Sequence, residues 1–510
     1  MLAEPAAPPP PGWWERGWFL AFLLVAALVP FATTGLPPLA DLPGHYARAA
    51  VAAGIEHVPA WQERFTYRWI LVPNLGVDVP VALLAPLTGV KLAMKLVVMA
   101  IPPLTILGFW TLAKAATGRV PPTFAATVAL AFSHPFLFGF VNFSFAVALA
   151  LFVLALWIRL GKEDRFLLRA ALVVPFGSLV YFAHAFSWGL LGLAAYAAEL
   201  VRWRQRGEGL PRTVLMATVS IWPLMLPSLH LGGWMVQRGI EGAAAAPTSN
   251  WVLKANWLLA TLRDGERWAD TLPIAVIATM IGALLTGWVR VASKALGAGA
   301  VLLLLAFLGM PGTVAGSAFA DMRMAPLLFA LALLALDGTS QGARRWLAAA
   351  ALGIALYKLG LVTHSSRFWD AAIEERLAVL EAVPQGAAVY MLHGPTQCFD
   401  QWSLRRTTHL GGYVIADKQG FSNNSWALGS ASPLRLRDPL ASGHDRDPSQ
   451  LSRLDNCGPL HFPQFFDVLE RFPREHYEYL WLVDAPMPPG YNEFELVAAN
   501  RGAMLYRIKR

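Results

Sequence analysis

The sequence predicts a mostly α, polytopic helical membrane bundle of about eleven spans, followed by a small C-terminal α/β domain. Three observations carry this reading. Hydrophobic residues make up 56% and charged residues only 15% of 510 positions, and the mean hydropathy is +0.47, a composition foreign to soluble enzymes. From about Trp18 to about Leu361 long apolar stretches alternate with short charged breaks, whereas from about Arg367 onward the chain turns polar and mixed. The lysines and arginines of the short connections fall at alternate breaks, as membrane topology requires.

Residues 1–17 form a Pro-rich, disordered cytoplasmic tail, with Trp13, Trp14 and Trp18 at an aromatic belt. The first apolar run has no small-x-small cleavage site before Asp41 and reads as an uncleaved helix. Candidate spans are 18–36, 91–113, 121–139, 143–159, 170–185, 186–201, 213–231, 271–289, 296–310, 321–337 and 346–362. The basic breaks are Lys114 with Arg119; Arg159, Lys162, Arg165 and Arg169; Arg202, Arg204, Arg206 and Arg212; Arg290 with Lys294; and Arg344 with Arg345. With these spans all of them share one side, taken as cytoplasmic. The transmembrane domain then covers 18–365, with outer loops 37–90 and 232–270, and the extracytoplasmic α/β domain covers 366–510. Val77–Val90, short and holding Pro80 and Pro86, reads as an interfacial or half-inserted helix. In the last domain "FWDAAIEERLAVLEAV" reads as a helix, and "AAVYML", "YLWLVD" and "AMLYRI" read as strands. Cys398 and Cys457, the only cysteines, both fall there, where an oxidising exterior pairs them as a disulfide.

The net charge of +8 comes mostly from the inner breaks and calls for no nucleic-acid partner. No P-loop or GxGxxG is present, which argues against a nucleotide-driven pump. Polar residues gather instead at outer span ends. "PPLADLPGHYARAA" sets Asp41 at the start of a short amphipathic helix, with His45 and Arg48 one turn apart on one side. Asp41 either caps that helix, leaving Arg48 to lipid phosphate, or belongs to a site. "FSHPFLFGFVNFSF" adds His134 and Asn142, "YFAHAFSW" adds His184, and "ADMRMAP" adds Asp321 and Arg323. Ionisable groups at span edges are costly and tend to face a water-filled cavity. An outward-opening polar cavity follows.

This arrangement resembles the GT-C membrane glycosyltransferases: an inward N-terminus, an acid just beyond helix one, amphipathic helices in the first outer loop, many further spans and an outer C-terminal domain. "DLPGHYARA", "FGFVNFSFAVALAL", "DMRMAPLLFALALLAL" and the terminal "YEYLWLVDAP" add local support. The resemblance implies transfer of a sugar from a polyprenyl-phosphate donor to a glycan, lipid or protein acceptor at a multi-pass plasma (inner) membrane. It makes Asp41 the catalytic base, and Arg323, Arg48 or Arg367 the cations that stabilise the departing phosphate. The next acids of the first outer loop, Glu56 and Glu63, stand well away from Asp41. No cofactor is expected. Asp41 and His45 with Asp264, Glu266 or Asp270 of "RDGERWAD" are the residues weighed for a divalent metal, and the lack of HxxxH or DxD spacing disfavours one. "RRTTHLGGYVIADKQGFSNN" offers hydrogen-bonding and aromatic groups suited to a carbohydrate. A transporter or flippase for a lipid-linked glycan, and a non-catalytic assembly subunit, are the two other classes these residues fit.

Overall fold

The computed structural model describes residues 11–237, 250–314, 317–394, 402–427, 432–441, 443–444, 450–453, 462–485 and 487–509. Apolar runs build its helices. The principal ones are α1 (Gly17–Ala26), α2 (Leu42–Gly54), α3 (Asp78–Thr88), α4 (Val90–Thr117), α5 (Val141–Lys162), α6 (Phe166–Ala183), α7 (Ala185–Gln205), α8 (Lys294–Gly309), α9 (Ala325–Leu334), α10 (Gln341–Leu377) and α11 (Gly411–Lys418). Helices α4, α5, α7 and α8 pack in succession, and α6 also packs on α5. Trp157 and Leu151 of α5 are buried in the shared core.

Each expected span falls on helical structure, but fewer helices than eleven are long enough to cross. Among the described residues four qualify by length and composition, α4, α5, α6 and α10 with its extension to Ala382, or up to five if the bent pair Leu210–Ser220 and Trp222–Val236 counts as one. Of the others, α7 is long at 21 residues but less apolar, and the rest are short helices such as Lys294–Gly309 or broken ones such as Phe124–Phe138. Pro135 and Gly139, the latter at φ +105°, bracket the short helix at His134–Phe138. Helix α3, at 11 residues, rises only about 16 Å and cannot span; it exposes Leu83 and Leu87, as an interfacial helix would.

Helix α10 differs from expectation in a second way. It runs unbroken for 37 residues, so the last expected span and the helix "FWDAAIEERLAVLEAV" are one rod, and position 366 lies inside it. Composition changes there, but no Gly or Pro interrupts the backbone. Beyond it, β1 (Ala388–His393), β2 (Phe421–Ser422), β3 (Tyr479–Val483), β4 (Phe494–Asn500) and β5 (Ala503–Ile508) form one sheet in the order β4-β5-β3-β1-β2. β1 runs parallel to both β2 and β3, while β5 is antiparallel to β3 and β4. β1 and β3 are buried along their whole length, which explains why both are continuous apolar runs without alternation. Cys398 and Cys457 lie outside the described residues.

The basic breaks gather at one end of the bundle. Arg119 and Arg344 both meet Glu15, so the described part of the tail expected to be disordered is instead folded, with Trp13–Glu15 a short helical turn and Trp14 buried; Arg344 and Arg290 meet Asp337, Lys162 reaches the carbonyl of Ala115, and Arg206 pairs with Asp164. Buried among them, Glu199 holds Arg169 at 2.7 Å and Arg202 at 3.0 Å, with the Arg169 guanidinium 4.0 Å above the Trp157 ring. Removing one partner of a buried pair strands the other charge at a cost of about 3–5 kcal/mol, whereas an exposed helix pair contributes about 0.5 kcal/mol or less. Glu199→Gln is therefore expected to lower the thermal midpoint of the purified protein by many degrees. Glu163→Gln, which breaks the exposed pair with Arg159, should leave it nearly unchanged; equal shifts would refute the assignment.

Candidate active site

Asp41 sits where three segments meet. Its backbone N–H donates to the Phe138 carbonyl at 3.0 Å, fastening the start of α2 to the turn before α5. Gly139 makes that approach feasible: at φ +105° a side chain would be strained, and a Cβ there would come 2.6 Å from the Asp41 nitrogen. Asp41 occupies the N-cap position of α2, yet its carboxylate makes no capping hydrogen bond. The cap reading therefore does not account for this side chain, which is 5% exposed. Its Oδ1 lies 3.4 Å from Nε2 of His409, and Arg323 stands within electrostatic reach. The Arg323 guanidinium lies 4.2 Å over the Phe140 ring, beside a cavity also lined by Ser133, Phe143 and Ser144.

One helical turn on, α2 anchors a second buried cluster. Arg48 closes its fork on Asp78, with both hydrogen bonds at 2.7 Å, and gives a third, at 3.2 Å, to Nδ1 of His45. Asn142 donates to Asp78 at 3.3 Å and to the Asn74 carbonyl at 2.7 Å, while accepting from the Val77 N–H at 2.7 Å. Arg48 is 1% exposed, so a phosphate could reach it only by displacing Asp78. Asp78 is the acid that sequence reasoning passed over, hidden in an apolar, Pro-bearing stretch at the start of α3.

Most other expected residues have partners of their own, although His184 also packs against Phe143 within electrostatic reach of Arg323. His134 is buried with Nδ1 at 3.2 Å from the Arg263 carbonyl, packed against Phe138 and Trp257. His184 caps α7 by accepting from the Phe186 N–H at 3.2 Å. Arg367 is exposed on α10. Asp264 pairs with Arg406 and accepts from Ser365, and although burial raises its carboxyl, Arg406 and Lys358 hold it below the ordinary value. Asp270 accepts from the Trp402 indole at 2.8 Å and from the Asp264 and Gly265 N–H groups. Glu266 stands at the N-cap of Arg267–Gly282. No three His, Cys, Asp or Glu side chains among the described residues are grouped to hold a metal ion.

Two further residues, His409 and Trp426, enter the Asp41 cluster from the C-terminal region. Both belong to or closely follow "RRTTHLGGYVIADKQGFSNN", whose aromatic and polar content was the only signal in the sequence. Helix α11 is pressed against α2, with Gly412 so close that a Cβ would lie 2.2 Å from the Pro43 carbonyl oxygen, and the Tyr46 hydroxyl donates to Asp417 at 2.6 Å.

No protein-family model and no curated protein matches the sequence. Solved structures do. The chain is similar to ArnT from Cupriavidus metallidurans in the apo state, with a TM-score of 0.53 at 14% identity over 96% of this chain and 97% of that one. Its similarity to ArnT from the same organism bound to undecaprenyl phosphate has a TM-score of 0.51 at 13% identity, over 96% and 98% of the two chains. At this identity the likeness is one of fold: the chain shares the overall fold of ArnT.

Burial first, and then the charge of Arg48 and the nearness of His409, push the His45 ring well below its ordinary value; burial lowers His393 as well. Below about pH 6.5 the unfolded chain binds protons that these folded sites refuse, so stability present above that pH is lost on acidification. His45→Gln keeps an acceptor for Arg48 but removes the titrating group. It is expected to flatten the acid side of a stability-versus-pH curve measured by thermal unfolding; an unchanged slope would exclude His45 as a contributor.

Proposed function

We propose that this chain is a membrane glycosyltransferase that moves a sugar from a polyprenyl-phosphate-linked donor to a glycan, lipid or protein acceptor with inversion, using Asp41 as base. The observation that carries this reading is the Asp41 carboxylate: buried, engaged in no cap, and facing Arg323 within a GT-C fold. The ArnT structure with undecaprenyl phosphate supports the donor class. In the proposed step Asp41 accepts the proton of the acceptor hydroxyl as that oxygen bonds to the anomeric carbon. The bond from this carbon to the phosphate oxygen breaks, and its electron pair leaves with the phosphate. Arg323 neutralises the charge that develops there, in a low-dielectric setting where a fixed cation is most effective. Asn142 and His45 act by holding the floor of the site through Asp78 and Arg48. The step calls for no cofactor.

The sidedness that fits this chemistry puts the basic end of the bundle in the cytoplasm and the Asp41 end, with the C-terminal sheet, outside. Reporter fusions after Arg165 and Arg206 are expected to read cytoplasmic and a fusion after Arg510 external; a cytoplasmic C-terminus would overturn the assignment. For the chemistry, transfer of labelled sugar is measured in membranes containing equal amounts of each variant. Asp41→Asn keeps shape and capping ability but cannot accept the proton, and the rate is expected to fall by roughly 10²-fold or more. Arg323→Lys keeps the charge and loses the planar fork, so a smaller loss is expected. Near-normal transfer by Asp41→Asn would leave the transporter or assembly-subunit reading in its place.

A further inference from the structure

We infer that His409, supplied by the C-terminal region, is a positioning residue that fixes the Asp41 carboxylate for proton abstraction, with Trp426 fixing the tautomer of His409 in turn. The inference rests on the reading of Asp41 as base.

The geometry is a chain of three groups. The Trp426 indole N–H, which can only donate, points at Nδ1 of His409 at 3.3 Å. Nδ1 is thereby the acceptor, and the ring carries its hydrogen on Nε2, the atom that lies 3.4 Å from Asp41 Oδ1. His409 approaches the carboxylate through Oδ1. His409 gains and loses no proton in the step. It holds the carboxylate at one rotation, and misplacement of a base by a fraction of an ångström is enough to lower the rate.

Three independent features show that this contact is built. Trp426 has φ +53°, a left-handed backbone that is unusual for a bulky residue and persists only where the surroundings impose it. Gly44 of α2 gives the indole its place, since a Cβ there would come 2.5 Å from the Trp426 ring. The ring is then flanked by His45 at 5.2 Å and His409 at 5.3 Å between centroids. His409 itself is 4% exposed. The glycine of "DLPGHY" thus receives the Trp426 indole, whose N–H bonds to the histidine of "HLGGY".

The test compares His409→Leu, His409→Gln and Trp426→Phe with Asp41→Asn in the same transfer assay, with thermal midpoints measured on each purified variant. His409→Leu, which fills the space without a polar group, is expected to lower kcat about 10-fold with KM little changed, the usual scale for one lost orienting polar contact. His409→Gln restores a donor N–H and is expected to recover most of the loss. Trp426→Phe keeps the ring but frees the tautomer, and an intermediate loss of kcat is expected. The inference is overturned if His409→Leu turns over normally while Asp41→Asn is inactive, or if Leu and Gln lose activity equally with a lowered thermal midpoint, the mark of a purely structural role. If Asp41→Asn is itself active, the base assignment fails, a result read from a different variant and therefore distinguishable.

Discussion

Arg406 is the tie on which the arrangement of the candidate site depends. Its guanidinium is fully buried, pairs with Asp264, hydrogen-bonds Ser365 of α10 at 3.2 Å and donates to the Pro38 carbonyl at 2.7 Å. Four segments distant in sequence converge on one side chain, and Pro38 is three residues from Asp41. A buried cation of this kind is costly unless all its neighbours are in place, so it acts as a check on assembly more than as a source of stability. Lys358 repeats the device beside it, giving its ammonium to the Leu262 carbonyl at 2.7 Å and standing 3.6 Å from Asp270. Lys254 does so again between Phe307, Met310 and Asp321.

These pairs explain why the Asp41 end of the bundle differs in kind from the basic end. At the basic end most charges are partly exposed and meet neighbours along a rim. At the Asp41 end charges are withdrawn from solvent and locked to partners across the fold: Arg48 to Asp78, Arg406 to Asp264, Arg376 to Asp484. Burial alone would raise Asp484, but the hydrogen bonds from His393 and Arg376 hold it far below the ordinary carboxylate range. The rigid polar floor that results can hold Asp41 and Arg323 with little rearrangement, the condition under which fixed charges act on a reacting centre.

Much of the helical framework was legible in the sequence because apolar runs are local signals, and each run did become helix. Crossing helices were harder to read, since Pro135 and Gly139 break one run and the charged residues of α7 make it less apolar although it runs for 21 residues. The rod of α10 was divided at 366 on a change of composition, although composition governs what a helix packs against and not whether its backbone continues. Within the site, Asp41, His45, Arg48, Asn142 and Arg323 were visible as polar residues out of place among apolar ones. Asp78, His409 and Trp426 were not, because their meaning lies in partners that only the fold supplies. His134 and His184 looked alike in sequence, yet the structure gives them local packing and capping partners.

The bond between Arg406 and Pro38 spans 368 positions, and the contact of His409 with Asp41 is as long. A ribosome adding about 5–20 residues per second would release α2 and its aspartate to the membrane tens of seconds before the turn that carries His409 exists. During that interval the helices would insert and pack as a bundle in which the Asp41 carboxylate lacks its His409 neighbour. Competence would then arrive late and in a single closing event, when the last quarter of the chain docks. A truncated product of interrupted synthesis would be membrane-bound and inert, a form of quality control that needs no additional component.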